Sequence, residues 1–295
     1  MKILVTGITG FLGGYLFENL ARLLPGSQVW GAHRSGSFAS PQALKVALDD
    51  AAAVKQLYRD HQFDAVVHMA ASAHVKENAL YGYFNNVNSG SYLIEGALAS
   101  GVKRFLFASS CVVYGNQYSV TAANKAAQNP LEWYSYSKVV TENMLAHYAG
   151  QMESVILRVP SVSGQGRRNP VLFTDMIESL RDTGKIVVWG NGLARRQFLD
   201  VADFGRMVAH ALTMPLAENP LTLPLVGREV VTILELAEML VKLWGSGSVE
   251  LLLEKPASPD KWVEPGLTER YFPFETTPLR TSMAEVVDSY KKVML

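Results

Sequence analysis

Short apolar runs alternate with amphipathic segments through the first half of this chain. Met1-Lys2-Ile3-Leu4-Val5-Thr6 reads as a strand, and a helical pattern begins with Gly14-Tyr15-Leu16-Phe17-Glu18-Asn19-Leu20. Residues 28–32 read as a second strand, 50–59 as a helix and 65–70 as a buried strand. The pattern continues with a helix over 92–99, a strand over 105–110, a helix over 137–148 and a strand over 154–159. Strand-length apolar runs separated by helices predict an α/β architecture: a doubly wound parallel sheet with helices on both faces. Such sheets bind ligands at the carboxyl ends of their strands.

After Pro160 the elements become shorter and less regular. Gly164-Gln165-Gly166-Arg167-Arg168-Asn169-Pro170 is a polar turn cluster, and prolines crowd the stretch from Pro256 to Pro278, which also holds Trp262. The expected division is a first domain over 1–162 and a smaller second domain over most of 163–295, with some segments returning to the first. No internal repeat or low-complexity tract is visible.

The 295 residues suffice for one large or two modest domains, and 48% hydrophobic with 18% charged residues is ordinary for a globular enzyme. Lys plus Arg and Asp plus Glu both number 27, which removes the electrostatic case for a nucleic-acid or anionic-membrane partner. The single cysteine, Cys111, fits a reducing compartment. With no secretory leader pattern and no apolar run of membrane-spanning length, a cytoplasmic protein without membrane contact is the expectation.

Gly7-Ile8-Thr9-Gly10-Phe11-Leu12-Gly13 joins the first strand to the first helix. Strand, glycine turn and helix N-terminus together turn backbone N–H groups toward a pyrophosphate. Gly7 allows the tight turn, Gly10 a close approach of backbone to phosphate, and Gly13 the packing of helix on strand. The spacing is G-x-x-G-x-x-G rather than the simplest dinucleotide fingerprint, and alone such glycines more often form a plain turn. Further on, Tyr134-Ser135-Tyr136-Ser137-Lys138 precedes an amphipathic helix. A helix starting there puts Tyr134 and Lys138 on one face, about 5–6 Å apart. A phenol of pKa about 10 is a poor catalyst at neutral pH, and a neighbouring ammonium is expected to draw that value down. Alone, this pair is usually a surface contact. Cys111 lacks an activating neighbour and reads as a buried structural thiol. His68 and His74 lack companions at ligand spacing, so no metal is expected.

Taken in order, these motifs resemble the extended short-chain dehydrogenase/reductase family, particularly its nucleotide-sugar epimerase, dehydratase and reductase branch. The match runs from Thr6-Gly7, Gly10 and Gly13 through Val66-Val67-His68-Met69-Ala70-Ala71 to Asn86. It continues through Phe107-Ala108-Ser109-Ser110, Val113-Tyr114-Gly115, Tyr134 with Lys138, Leu157-Arg158, and Arg196-Gln197-Phe198-Leu199-Asp200-Val201-Ala202-Asp203. The resemblance implies a Rossmann sheet with a C-terminal substrate-binding domain. It implies a dinucleotide held by Gly7, Thr9, Gly10, Phe11, Leu12, Gly13, His33, Arg34, Leu48, Ala70, Ala71, Tyr134 and Lys138. It assigns Ser110 to the reacting sugar oxygen, Tyr134 to proton transfer, Lys138 to the nicotinamide ribose, and Arg196 to the nucleotide diphosphate. Asn86 takes a mainly structural part.

Three departures bear on function. Ala47 stands where relatives carry an acidic adenine-side residue. Cys111 and Val112 stand where dehydratases carry an Asp-Glu pair after the catalytic serine or threonine, which disfavours a 4,6-dehydratase. No clear R-x-x-D segment for the distal phosphates appears near the C-terminus. At the end of the second strand Arg34 stands where NAD-preferring sheets place a carboxylate, which predicts NADP(H), with NAD as the alternative. The expected activity is therefore NADPH-dependent reduction of a nucleotide-linked 4-keto-6-deoxy sugar. The alternatives are a nucleotide-sugar 4-epimerase with recycled dinucleotide, a reductase of a carbonyl compound without a nucleotide, and a non-catalytic dinucleotide-binding sensor or scaffold. Apolar stripes over 81–99 and 139–148 predict a homodimer.

Overall fold

The computed structural model describes residues 1–73, 80–116, 118–120, 128–164 and 171–293; His74 and most of the turn cluster after Gly164 lie outside them. In chain order the elements begin with β1 (Lys2–Thr6), α1 (Phe11–Leu23), β2 (Gln28–His33), β3 (Ala43–Lys45), α2 (Ala51–Asp60), β4 (Ala65–His68), α3 (Leu80–Ala99) and β5 (Arg104–Ser110). A 3-10 turn (Cys111–Tyr114) leads to β6 (Tyr118–Val120), α4 (Trp133–His147), β7 (Glu153–Val159), β8 (Ser161–Ser163), α5 (Leu172–Thr183), β9 (Lys185–Trp189) and β10 (Arg195–Asp200). The chain continues with α6 (Val201–Ala211), β11 (Leu221–Pro224), β12 (Val230–Thr232), α7 (Ile233–Trp244), β13 (Ser248–Leu252), β14 (Lys261–Val263), α8 (Gly266–Tyr271) and α9 (Leu279–Val293). Contacts divide it into two units, the first being Met1–Gly115, Ala127–Val159 and Gly205–Pro224, the second Asn116–Ala126, Pro160–Phe204 and Leu225–Leu295.

The first unit holds a seven-stranded sheet in the order β11-β7-β5-β4-β1-β2-β3, with all pairs parallel. Ile3, Leu4, Val5, Val66, Val67, Phe105 and Leu106 are fully buried, as the continuous apolar runs of a sheet covered on both faces require. On one face Leu4, Val66, Phe105, Phe107 and Ile156 pack against Leu57 and Tyr58 of α2, Leu93, Ile94 and Ala97 of α3, and Leu145 of α4. The strand order reverses at β1, which has β2 on one side and β4 on the other. That reversal opens a crevice at the carboxyl ends.

Three boundaries differ from the sequence expectation, each for a tertiary reason. The third helix begins at Leu80 rather than Tyr92, although Gly82, Gly90 and several asparagines and serines weaken its local signal. It is supported by close packing on α4: a Cβ at Gly90 would fall 2.9 Å from Thr141 Oγ1. The fourth helix begins at Trp133 rather than Ser137, because Ser135 Oγ accepts from the backbone N–H of Glu132 at 3.1 Å and donates to its carbonyl at 2.8 Å. Finally, β4 stops at His68, since the next two N–H groups leave the ladder and donate to Thr6 Oγ1.

In the second unit β12-β10-β14-β6 form one sheet, β8 pairs with β10, and β9 and β13 form a parallel pair. Its core gathers Phe173, Ile177 and Leu180 of α5, Phe198 of β10, Leu236 and Leu240 of α7, and Met283 and Val287 of α9. Among the described residues no helix is long and apolar enough to cross a membrane.

Candidate active site

Local geometry makes the turn after β1 a cradle. Gly7 has φ +72°, and a Cβ there would lie 2.7 Å from Ala70 Cα, so both conformation and space demand glycine. A Cβ on Gly13 would fall 2.3 Å from the Gly7 carbonyl oxygen, so α1 can approach β1 only with glycine at that place. Gly10 differs. It caps α1 in an extended conformation, φ −86°, without a side-chain hydrogen bond, and a Cβ would meet only Gly7 O at 3.3 Å. No acidic residue occupies the first turn of α1. The orphan N–H groups of that turn are those an anion satisfies. The cradle fits a dinucleotide pyrophosphate: the dipole of α1 favours negative charge, and no side chain lies within 4 Å of a Cβ placed on Gly10. Thr9 is exposed, Phe11 and Leu12 are half-buried, and Leu48 is buried.

Thr6 ties the cradle to the neighbouring strand. Its Oγ1 accepts from the N–H groups of Met69 and Ala70 at 3.0 Å each and lies 2.9 Å from His68 Nδ1. A hydroxyl oxygen that accepts twice has its proton left to donate, so Nδ1 is the acceptor and His68 is neutral. Burial chiefly, and then the Lys138 ammonium, push the His68 pKa down to about 3. The imidazole stacks on Phe107, with ring centroids 5.7 Å apart. Thr6 therefore fixes the turn that carries Ala70 and Ala71.

At the carboxyl end of β5 the structure brings the three expected reactive residues together. The Ser110 side chain lies beside the Tyr134 phenol, where it acts to lower the phenol's pKa, and its Oγ donates to the Val159 carbonyl at 3.4 Å. Lys138 is buried, donates to the Ala108 carbonyl at 2.7 Å, and sets its ammonium 5.5 Å from the Tyr134 ring centroid and 4.8 Å from that of Phe107. Asn86 of α3 braces this corner, donating to Ser137 Oγ and to the Ser72 carbonyl and accepting from the Ser72 N–H.

The expected acidity of the phenol needs correction. Burial pushes Tyr134 up to about 12, and the Ser110 side chain opposes it only in part. Lys138 does not draw the phenol down, because its hydrogen bond goes to a carbonyl and its own burial pushes it down to about 7. Cys111 is a buried thiol raised to about 12 by burial, and is inert.

Of the residues assigned to the adenosine side, Arg34 is exposed just beyond β2. His33 is buried, with Nδ1 3.2 Å from the Ser35 carbonyl and its ring 4.7 Å from that of Phe38. Arg196 belongs to the second unit, where its Nη1 donates to the carbonyls of Pro259 at 2.6 Å and Arg195 at 2.8 Å. Sequence reasoning gave no role to Thr6, Glu142 or Arg158. Their signals were slight: a hydroxyl at the end of an apolar strand, a carboxylate one turn beyond Lys138, and an arginine inside an apolar strand.

The fold and this turn define the class: a doubly wound α/β protein of the dinucleotide-binding kind. The chain belongs to the NAD dependent epimerase/dehydratase family, whose model matches residues 3–222. It is 33% identical over 172 residues to the UDP-glucose 4-epimerase of Azospirillum brasilense, covering 55% of this chain and 49% of that one. It is 27% identical over 242 residues to a probable UDP-arabinose 4-epimerase of Arabidopsis thaliana, covering 68% and 58%. The chain thus spans about half the length of the curated relatives it matches. In fold it is similar to a UDP-glucuronic acid 4-epimerase from Bacillus cereus, solved with UDP-glucuronic acid and NAD (TM-score 0.84, 24% identity, 99% and 100% of the two chains). It is also similar to a dTDP-glucose 4,6-dehydratase from Streptomyces venezuelae, solved with NAD (TM-score 0.83, 22% identity, 99% and 97%).

Proposed function

We propose that this protein is a nucleotide-sugar 4-epimerase that recycles a nicotinamide dinucleotide. The observation that carries the reading is the Ser110–Tyr134–Lys138 array at the end of β5, followed by Cys111 and Val112 in place of a dehydratase acid pair. NAD, when bound, supplies an acceptor that takes hydride from C4 of the sugar and gives it back, and a cationic ring. Tyr134, deprotonated beside the bound cationic ring, would take the proton of the C4 hydroxyl and later return it, and Ser110 would hold the same oxygen. Lys138, in the first unit with them, holds ribose hydroxyls. The neutral thiol and the valine after Ser110 cannot protonate a departing hydroxyl as an acid pair at those two positions would, which favours hydride return to a 4-keto intermediate. Several curated relatives are 4-epimerases of UDP-sugars, which supports the same choice over net reduction.

In this reading the first unit carries the dinucleotide beside Ser110, Tyr134 and Lys138. The exposed faces of α3 and α4, with Tyr81, Phe84 and Tyr136, would meet a second copy in a homodimer, testable by sedimentation. The lone thiol suits the cytoplasm. Incubation with NAD and a panel of UDP- and dTDP-sugars, read by NMR, should give inversion at C4 without net change in nicotinamide absorbance. Failure of every sugar to invert would end this reading. One observation favours the reductase instead: Arg34, with no carboxylate between Val29 and Phe38, suits the 2′-phosphate of NADPH. Oxidation of NADPH by a 4-ketosugar, and loss of NADP preference in Arg34→Asp, would establish it.

A further inference from the structure

Below the Tyr134–Lys138 pair, α4 carries a third polar residue on the same face. Glu142 follows Lys138 by one turn and is buried. Its Oε1 accepts from Ser109 Oγ and from Arg158 Nε at 3.2 Å, and its Oε2 from Arg158 Nη2 at 2.7 Å and Gln128 Nε2 at 2.6 Å. The helix thus meets β5 at three successive places, with the Tyr134 phenol beside Ser110, a hydrogen bond from Lys138 to the Ala108 carbonyl, and another from Ser109 to Glu142. The lowest of these holds the one strand residue that lies between the other two.

Stability does not account for this pair. Arg158 is buried, and its Nη1 has no hydrogen-bond partner among the described residues. A buried ion pair is at best a weak stabiliser compared with apolar side chains of the same volume. Among the described residues the charges around Lys138 are also few. From β4 it faces His68, which is neutral. From its own helix it faces Tyr134 and Glu142, and from β5 the ring of Phe107 and the Ala108 carbonyl. Behind Glu142 stand Arg158 of β7, with Cys111 and Tyr114, both held neutral by burial. Glu142 is therefore the carboxylate that acts on the Lys138 ammonium, against the burial that would discharge it.

We propose that Glu142, with Arg158 as its counter-ion, is a positioning residue for the active site, setting the register of α4 on β5 and keeping the Lys138 ammonium charged. This rests on the function proposed above. The test is a pH titration of the Lys138 side chain in the full-length protein carrying 13C-labelled lysine, with its resonance identified by Lys138→Met. Glu142→Gln alone strands the Arg158 guanidinium, so the variant used is Glu142→Gln/Arg158→Met, its fold checked by circular dichroism. Loss of the carboxylate should lower the Lys138 midpoint by about one pH unit or more, and Glu142→Asp, which retains the charge, should restore it. In turnover, the alkaline limb of kcat/KM should move down by the same interval. A folded double variant with the wild-type Lys138 midpoint would overturn the proposal. The titration needs no sugar, so absence of C4 inversion in the wild type would remove the proposed function while leaving this result interpretable.

Discussion

Two alanine substitutions one helical turn apart in the glycine turn should have opposite consequences. At Gly13 a methyl group would lie 2.3 Å from the Gly7 carbonyl oxygen, 2.7 Å from its carbon and 3.1 Å from the Thr6 oxygen. These are backbone atoms with no rotamer to change, so α1 must move away from β1. Overpacking of this kind costs about 1–3 kcal/mol. In a protein of this size that lowers the unfolding midpoint by roughly 2–4 °C per kcal/mol. At Gly10 the backbone suits any residue and the methyl group would touch only Gly7 O at 3.3 Å. The fold should lose under about 1 kcal/mol, the difference between glycine and alanine as a helix N-cap. Yet that methyl group would stand at the open N-terminus of α1, where a pyrophosphate must come close. Loss of even about 1.4 kcal/mol there is tenfold in affinity. Thermal unfolding and dinucleotide binding by calorimetry measure both quantities. Gly10→Ala should melt near the wild type and bind at least about tenfold more weakly, whereas Gly13→Ala should melt clearly lower. A Gly10→Ala protein that binds dinucleotide as tightly as the wild type would refute the anion-cradle account of α1.

Three further outcomes are expected. Tyr134→Phe should abolish turnover while dinucleotide affinity stays near that of the wild type; retention of more than a few per cent of activity would remove Tyr134 as the proton-transfer group. His68, whose folded pKa of about 3 lies below its ordinary 6.5, binds a proton more readily in the unfolded chain between those values, so stability should fall as the solution is acidified. Between pH 7 and 4 that is on the order of 3 kcal/mol, and urea unfolding of His68→Gln should show a correspondingly flatter dependence; equal slopes would count against it. Arg158→Met alone leaves the Glu142 carboxylate buried without its counter-ion and should cost about 3–5 kcal/mol, whereas Glu142→Gln/Arg158→Met should recover much of that in a double-mutant cycle. Additive losses would mean that the two side chains do not act as a pair.

Periodicity and spacing carried the parts of this protein that depend on near neighbours. The apolar runs of β1, β4, β5 and β7 were readable because a parallel sheet covered on both faces needs uninterrupted hydrophobic strands. The glycine turn was readable because strand, turn and helix are contiguous, and the Tyr134–Lys138 face because helical geometry alone aligns residues four apart. Tertiary structure decided what depends on partners far along the chain. Residues 80–91 are helical because α3 packs on α4, against their weak local propensity. The end of β4 was decided by Thr6, 63 residues from Met69. The acidity of Tyr134 was decided by burial that no spacing reveals. Glu142 and Arg158 read separately as a helix carboxylate and a strand cation, and only the closing of α4 over β5 and β7 makes them a buried pair beneath Lys138. Local sequence sets backbone conformation and which side chains share a face, while desolvation and charge pairing depend on what the rest of the chain brings to that face.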